Sequence, residues 1–250
     1  MKKQLVSLFR KLSRSKEIIH QLENTVILAQ QENLALQLLS PLISNHTYFP
    51  WTSSSISPST ANYIVNDILI NERKKIIEFG SGLSTIIIGR FLKKFDNDST
   101  LFSVESDEKW IETLQSFIDR ENLGHHIQFI HAPIKNSPYS FKSHTAWYDS
   151  QCIEEKIEGI KFDMVIVDGP QGFLSYSRYG ALPFIKKHLN PKFSILLDDT
   201  NRKEEQEIFQ KWSQEFPNLL TQRFVRFSII SSGDTFSPTP FLLEQIINPS

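Results

Sequence analysis

Three short runs of this sequence place carboxylates and small residues where a ligand could be gripped. The first is Glu78-Phe79-Gly80-Ser81-Gly82-Leu83-Ser84-Thr85. Gly80 and Gly82 let the backbone turn tightly and leave room for a ligand against the main chain, and Ser84 keeps a third position small. The second is Val104-Glu105-Ser106, 25 residues after Gly80. A carboxylate at that spacing can accept two hydrogen bonds from a ribose diol. The third comprises Asp168-Gly169-Pro170 and, further on, Asp198-Asp199-Thr200-Asn201. Asp168 can orient a nucleophile or accept its proton. Together with Asp198, Asp199 and Asn201 it offers hard oxygen ligands suited to Mg²⁺ or Ca²⁺. The competing reading is that Asp198 or Asp199 caps the helix that follows.

Other groups could contribute. His131, His144 and Tyr148 are titratable candidates around the segment after the third strand. Arg178 could clamp an anionic group or serve as an ion-pair partner. Trp51, Trp147 and Tyr148 could stack on a flat acceptor or simply pack. Cys152, the only cysteine, reads as a small side chain and excludes an intrachain disulfide.

These residues need elements to position them. Short apolar strands are predicted at 76–79, 101–104, 127–131, 164–167 and 194–197, with helices at 61–73, 83–94, 107–118, 176–189 and 202–214 between and around them. Two neighbouring strands, 224–230 and 241–247, close the pattern. Strands apolar on both faces and separated by helices imply a doubly wound α/β sheet, and a closing strand pair implies an antiparallel edge. In such sheets ligands bind beyond the carboxyl ends of the strands. All three runs sit at such ends.

Glu78–Thr85 resembles the first motif of class I S-adenosylmethionine (SAM)-dependent methyltransferases, and Val104-Glu105-Ser106 resembles their second. The resemblance covers about residues 74–247. It implies a Rossmann-like α/β fold whose seven-stranded sheet has the order 3-2-1-4-5-7-6, here with an N-terminal helical extension. It further implies that Glu78, Gly80, Ser81, Gly82, Ser84 and Thr85 surround the methionine part of SAM. Glu105 and Ser106 would lie at the ribose, residues near Ile134 at the adenine, and Asp168 at the sulfonium side as the catalytic residue. The strand ends at Asp168 and Asp198-Asp199 are similar to those of small-molecule O-methyltransferases that hold a divalent metal there. Two departures stand out: Ser84 replaces the third glycine, and no acidic residue follows the third strand. NAD is the competing cofactor, since the turn is also similar to G-x-G-x-x-G, although Thr85 takes the place of its last glycine.

Length and charge bound the rest. The chain has 250 residues, 40% of them hydrophobic, enough for one sizeable core. The expected division is a helical extension over 1–44, a loop and helix over 45–73, and a SAM-binding domain over 74–250. A formal net charge of −1 provides no bulk attraction to nucleic acid or anionic lipid. No apolar run reaches the roughly 18 residues of a membrane span, and a cytoplasmic location is expected. Leu5, Leu8, Leu12, Ile19, Leu22, Val26 and Ala29 form a heptad seam, which either packs on the main domain or joins two copies as a homodimer. Two function classes follow: a methyltransferase acting on a small-molecule oxygen, and a non-catalytic SAM- or nucleotide-binding module acting through its N-terminal helix.

Overall fold

The computed structural model describes residues 2–44, 47–95, 98–141, 146–170, 174–233 and 235–239. The expected strand 241–247 and His144 lie outside the described residues. A long helix α1 (Lys2–Leu38) leads into a short α2 (Ser40–Ile43) and then α3 (Pro58–Ile70). Ser57 starts α3 by accepting a hydrogen bond from the Thr60 amide, with a proline in the first turn.

Seven strands form one sheet: β1 (Lys75–Phe79), β2 (Thr100–Glu105), β3 (Ile127–His131), β6 (Phe162–Val167), β7 (Leu189–Leu197), β8 (Leu220–Arg223) and β9 (Ser228–Ser231). Their order is β3-β2-β1-β6-β7-β9-β8, which counted along the chain is 3-2-1-4-5-7-6. The first five are parallel, and β9 runs antiparallel to both its neighbours. A separate hairpin pairs β4 (Ile134–Asn136) with β5 (Ala146–Tyr148). Helices α4 (Leu83–Lys94), α5 (Glu108–Glu121), α6 (Ser150–Ile157), α7 (Ala181–Ile185) and α8 (Lys203–Gln214) cover the sheet.

Alternation along the strands divides the interior into two cores. Ile76, Met164, Ile166 and Leu196 face α3 and α4, whereas Ile77, Phe79, Val165, Val167 and Leu197 face α6, α7 and α8. Leu39, Leu42, Ile64 and Ile68 belong to the first core, so the segment leading into β1 is packed into the domain.

Three expectations about elements change. The helix expected over 176–189 is broken into a 3-10 turn at Ser177–Gly180, then α7, then a second 3-10 turn at Lys186–His188. Pro183 cannot donate to the Tyr179 carbonyl, and the Trp212 indole N–H does so instead at 3.2 Å. The strand expected over 224–230 is a hairpin, because the chain reverses between Phe224 and Phe227. Their backbones bond at 2.8 Å and their rings stack 4.4 Å apart. Residues 132–148, expected to be irregular, contain the β4–β5 hairpin.

The described side chains of the α1 seam face outward. Ile19, Leu22 and Val26 are about half exposed or more, Leu22 at 61%. The helix is anchored near its C-terminal end, where Glu32 accepts from the Ser59 hydroxyl and amide and Ala35 is buried. No helix among the described residues is long and apolar enough to cross a membrane.

Candidate active site

The parallel ladder continues one residue past several strands. Gly80 N–H donates to the Val104 carbonyl (2.9 Å), Asp168 N–H to Phe79 (2.9 Å), and Asp198 N–H to Val167 (3.0 Å). This stacks Gly80, Glu105, Asp168 and Asp198 along one edge of the sheet. The winding direction reverses between β1 and β6, so the turns after these two strands meet at the switch point where doubly wound folds bind ligands.

The two turns are in backbone contact. Gly80 has φ +97°, and a Cβ there would lie 2.7 Å from the Gly169 nitrogen. A Cβ on Gly169 would lie 2.5 Å from the Tyr148 hydroxyl. Only glycine fits both places. Gly82 differs: a Cβ built there meets nothing within 4 Å, so space remains open at the start of α4.

Glu78 sits beneath this turn with no exposed surface. Its register partner on β2 is Ser103, whose hydroxyl donates to it at 2.6 Å. The Ser84 hydroxyl donates at 2.8 Å, and the Thr85 hydroxyl donates as well. Thr85 also accepts from the Gly82 amide at 2.9 Å. Burial pushes the Glu78 carboxyl up to about 7, against the pull of these hydroxyls. Of the residues expected around a ligand, Glu78, Ser84 and Thr85 are buried and hold the turn from behind, while Gly80, Ser81 and Gly82 form its partly exposed surface.

Glu105 ends β2. Its Oε2 accepts from the Ser81 amide at 3.2 Å, and its Oε1 accepts from the amides of Ser106 (2.6 Å) and Asp107 (2.9 Å). Ser106 turns its hydroxyl back onto the same oxygen at 3.1 Å. The carboxylate is thus fixed in direction while staying partly exposed. Trp110, one turn into α5, donates its indole N–H to the Ser81 carbonyl at 2.9 Å. Ser103 and Trp110 were missed in the sequence. A serine inside an apolar strand was a signal for the first; nothing marked the second.

At the ends of β6 and β7 the chemistry is ionic. Asp168 keeps 18% of its side-chain surface exposed and contacts Arg178 at 3.0 Å. The buried Arg178 also donates to the Asp198 carbonyl at 2.9 Å and to the Asp199 carboxylate at 2.9 Å. Asp199, at φ +58°, receives Arg202 (3.0 Å) and Arg226 (2.8 Å) as well. Burial opposes ionisation of Asp199, but Arg178 and the other guanidinium groups hold it below the usual carboxylate range. Burial and then the Asp198 charge push Asp168 well up, with Arg178 pulling the other way. Asp198 is raised to about 6 by burial and the adjacent Asp199. Carboxylate oxygens of Asp168, Asp198 and Asp199 all lie within 4.8 Å of one another, and Asn201 is exposed. The expected helix cap is absent: α8 begins after Arg202 with no side-chain cap, because the Asp199 carboxylate is taken by arginines.

The remaining candidates separate cleanly. Trp147 and Tyr148 are buried and packed on Phe79, so neither offers a stacking face. Burial, then the charges of Glu105 and Asp168, keeps the Tyr148 phenol well above its ordinary value, which removes it as a base. Trp51 donates to the Ile56 carbonyl at 3.1 Å. His131 is exposed, 3.3 Å from the Ser106 carbonyl.

A mixed α/β sheet of this order, with a glycine turn and strand-end carboxylates at its switch point, defines a Rossmann-like ligand-binding domain. Residues 77–200 match the family model described as "Methyltransferase domain", consistent with a class I SAM-dependent methyltransferase. Solved structures share the fold. One is a methyltransferase from Podospora anserina bound to S-adenosylhomocysteine (TM-score 0.56, 16% identity, covering 80% of this chain and 88% of that one). Another is an O-methyltransferase from Bacillus cereus in complex with S-adenosylhomocysteine (0.54, 17%, 82% and 91%). A third is a tomaymycin-synthesis O-methyltransferase from Streptomyces achromogenes in complex with SAM (0.53, 15%, 78% and 89%). No curated protein matches the chain significantly by sequence.

Proposed function

We propose that the protein transfers a methyl group from SAM to an oxygen of a small-molecule acceptor, with Asp168 receiving the acceptor's proton. The observation that carries this reading is the open space at Gly82, with partly exposed Glu105 on one side and partly exposed Asp168 on the other. Crystallisation of the three fold neighbours with SAM or its demethylated product supports the cofactor.

The chain's donor set fits that cofactor. Gly80, Ser81 and Gly82 let its amino-acid part lie against backbone. Glu105, aimed by three backbone amides, retains lone pairs for the ribose hydroxyls. Ser106 steadies Glu105, while Glu78, Ser84 and Thr85 keep the turn in shape. When bound, SAM supplies a methyl group on a sulfonium. The chemistry it would supply is displacement at that methyl by the acceptor oxygen, with the sulfur keeping the electron pair of the C–S bond. Such a displacement depends chiefly on alignment, and Asp168, raised in pKa and partly exposed, is suited to take the proton.

Calorimetric titration with SAM tests the cofactor. Replacing Glu105 by Ala should weaken binding roughly ten- to a hundredfold, the worth of hydrogen bonds to a charged group. Unchanged affinity removes Glu105 from the site. Turnover of labelled SAM across hydroxyl-bearing acceptors tests the reaction, and Asp168→Ala turning over like wild type would sink the role given to Asp168.

The same reading assigns 1–44 to a helical arm, 45–73 to a segment leading into the core, and 74–250 to the SAM-binding domain. The exposed seam of Ile19, Leu22 and Val26 supports a homodimer through α1. Leu22→Glu with Val26→Glu should halve the mass seen by light scattering, and a wild-type protein that is already monomeric refutes the dimer.

A further inference from the structure

We propose that Arg178 is the resident cation of this site, seated among the carboxylates of Asp168 and Asp199 that a divalent ion would need. The strand-end carboxylates are then a guanidinium site and not a metal site.

The donor set was tested against a metal by its own geometry. Asp168, Asp198 and Asp199 bring oxygens within 4.8 Å of one another, the kind of clustering a hard cation could use. A Mg²⁺ or Ca²⁺ shared by two of them must stand within about 2.0–2.6 Å of each oxygen. One Arg178 Nη2 already bridges Asp168 Oδ1 at 3.0 Å and Asp199 Oδ2 at 2.9 Å, competing for the same lone pairs. Arg178 is 4% exposed at its side chain, and its Nη1 is fixed by the Asp198 carbonyl at 2.9 Å. It cannot swing out without leaving Asp168 without its arginine and breaking its own buried contacts, which is costly. Arg202 and Arg226 close the other approaches to Asp199. A divalent ion added here would meet a buried, permanently charged guanidinium whose repulsion solvent screens poorly.

This bears on what each carboxylate does. Asp199, held by three arginines, is committed to structure. Asp168, held by one and partly exposed, is the member free to face an acceptor. Arg178 is a positioning residue: its planar fork sets the direction of Asp168. Activation of the acceptor then falls to Asp168 and to the acceptor's own acidity.

The role given to Asp168 rests on the methyl-transfer reading, whereas the cation assignment stands on the ion-pair geometry. The experiment keeps the two apart. Full-length protein, stripped by a chelator, is titrated with Mn²⁺ and free Mn²⁺ is read by electron paramagnetic resonance, while SAM binding is measured in parallel by calorimetry. Wild type should leave Mn²⁺ free into the millimolar range. Arg178→Met, which keeps the apolar stem and removes the charge, should bind one Mn²⁺ per chain at least tenfold more tightly than wild type, and adding Asp168→Asn should abolish that gain. Stoichiometric Mn²⁺ on wild type, lost in Asp168→Asn, overturns the proposal. So does a folded Arg178→Met protein that gains no Mn²⁺ site. Should Arg178→Met fail to fold, wild type against Asp168→Asn still decides. Absence of SAM binding with the expected Mn²⁺ pattern would refute the methyl-transfer reading alone.

Discussion

The ends of β1 and β2 and the ends of β6 and β7 lie side by side on one sheet edge, yet they handle buried carboxylates in opposite ways. Glu78 is surrounded by the hydroxyls of Ser84, Thr85 and Ser103, neutral donors that leave burial in control and its carboxyl at about 7. Asp199 is surrounded by Arg178, Arg202 and Arg226, and charge overrides burial, holding it low. Neutral donors can shape a turn that must approach a ligand closely without adding charge to it. Guanidinium groups can fix a cluster of acids in place but commit most of them to structure. The first region is therefore a closely packed turn with no added positive charge, and the second holds one partly exposed carboxylate, Asp168, in a set direction.

Breaking the ionic side should cost the most. Asp199→Asn removes the charge that the buried Arg178 shares with Arg202 and Arg226 and should destabilise the fold by roughly 4 kcal/mol, read from denaturant unfolding. A loss below about 1 kcal/mol would place the cluster among weak surface pairs. On the neutral side, Gly80→Ala forces a side chain into a positive-φ position and onto the Gly169 backbone. We expect a loss of about 3 kcal/mol together with loss of SAM binding, and wild-type stability would refute the close contact.

The contrast sharpens with pH. A carboxyl raised in the folded state binds its proton more tightly there than in the unfolded chain, so its contribution to stability falls as pH rises. For Glu78 that window runs from its ordinary value of 4.5 to about 7. Glu78→Gln should remove roughly 2 kcal/mol of the difference in stability between about pH 5 and pH 7, measured by calorimetric unfolding at each pH. Parallel curves for the two proteins would show that Glu78 does not titrate there. Asp199 has the opposite sign: lowered in the fold, it stabilises above the ordinary carboxylate range, and that contribution is lost as pH falls through its depressed value. Asp199→Asn should flatten the acid limb below about pH 4. The smallest effect is at the rim, where Trp110→Phe removes the bond to the Ser81 carbonyl. It should cost about 1 kcal/mol and weaken SAM binding a few-fold, and no change in either would make that bond incidental.

Much of the scaffold was readable from residue types. Apolar runs at 76–79, 101–104, 127–131, 164–167 and 194–197 became the five parallel strands, since burial on both faces demands such runs. The breaks were not readable. Pro183 splits a helix only because Trp212 can take the freed Tyr179 carbonyl, and the Phe224–Phe227 reversal depends on the two rings stacking on each other and packing against Tyr63 of α3. The site was legible in position but not in role. Glu78 and Thr85 both lie in the glycine-rich run, yet register with Ser103 turns Glu78 inward and the Thr85 hydroxyl follows it.

By itself the sequence determined which residues reach the strand ends, because strand length and the spacing of glycines and acids are local properties of the chain. Only the tertiary structure decided which of those acids remain available. Arg178, ten positions after Asp168, and Arg226, 27 after Asp199, reach the cluster through folding. Pairing of buried charges is a matter of distances in space, which separation along the chain does not set.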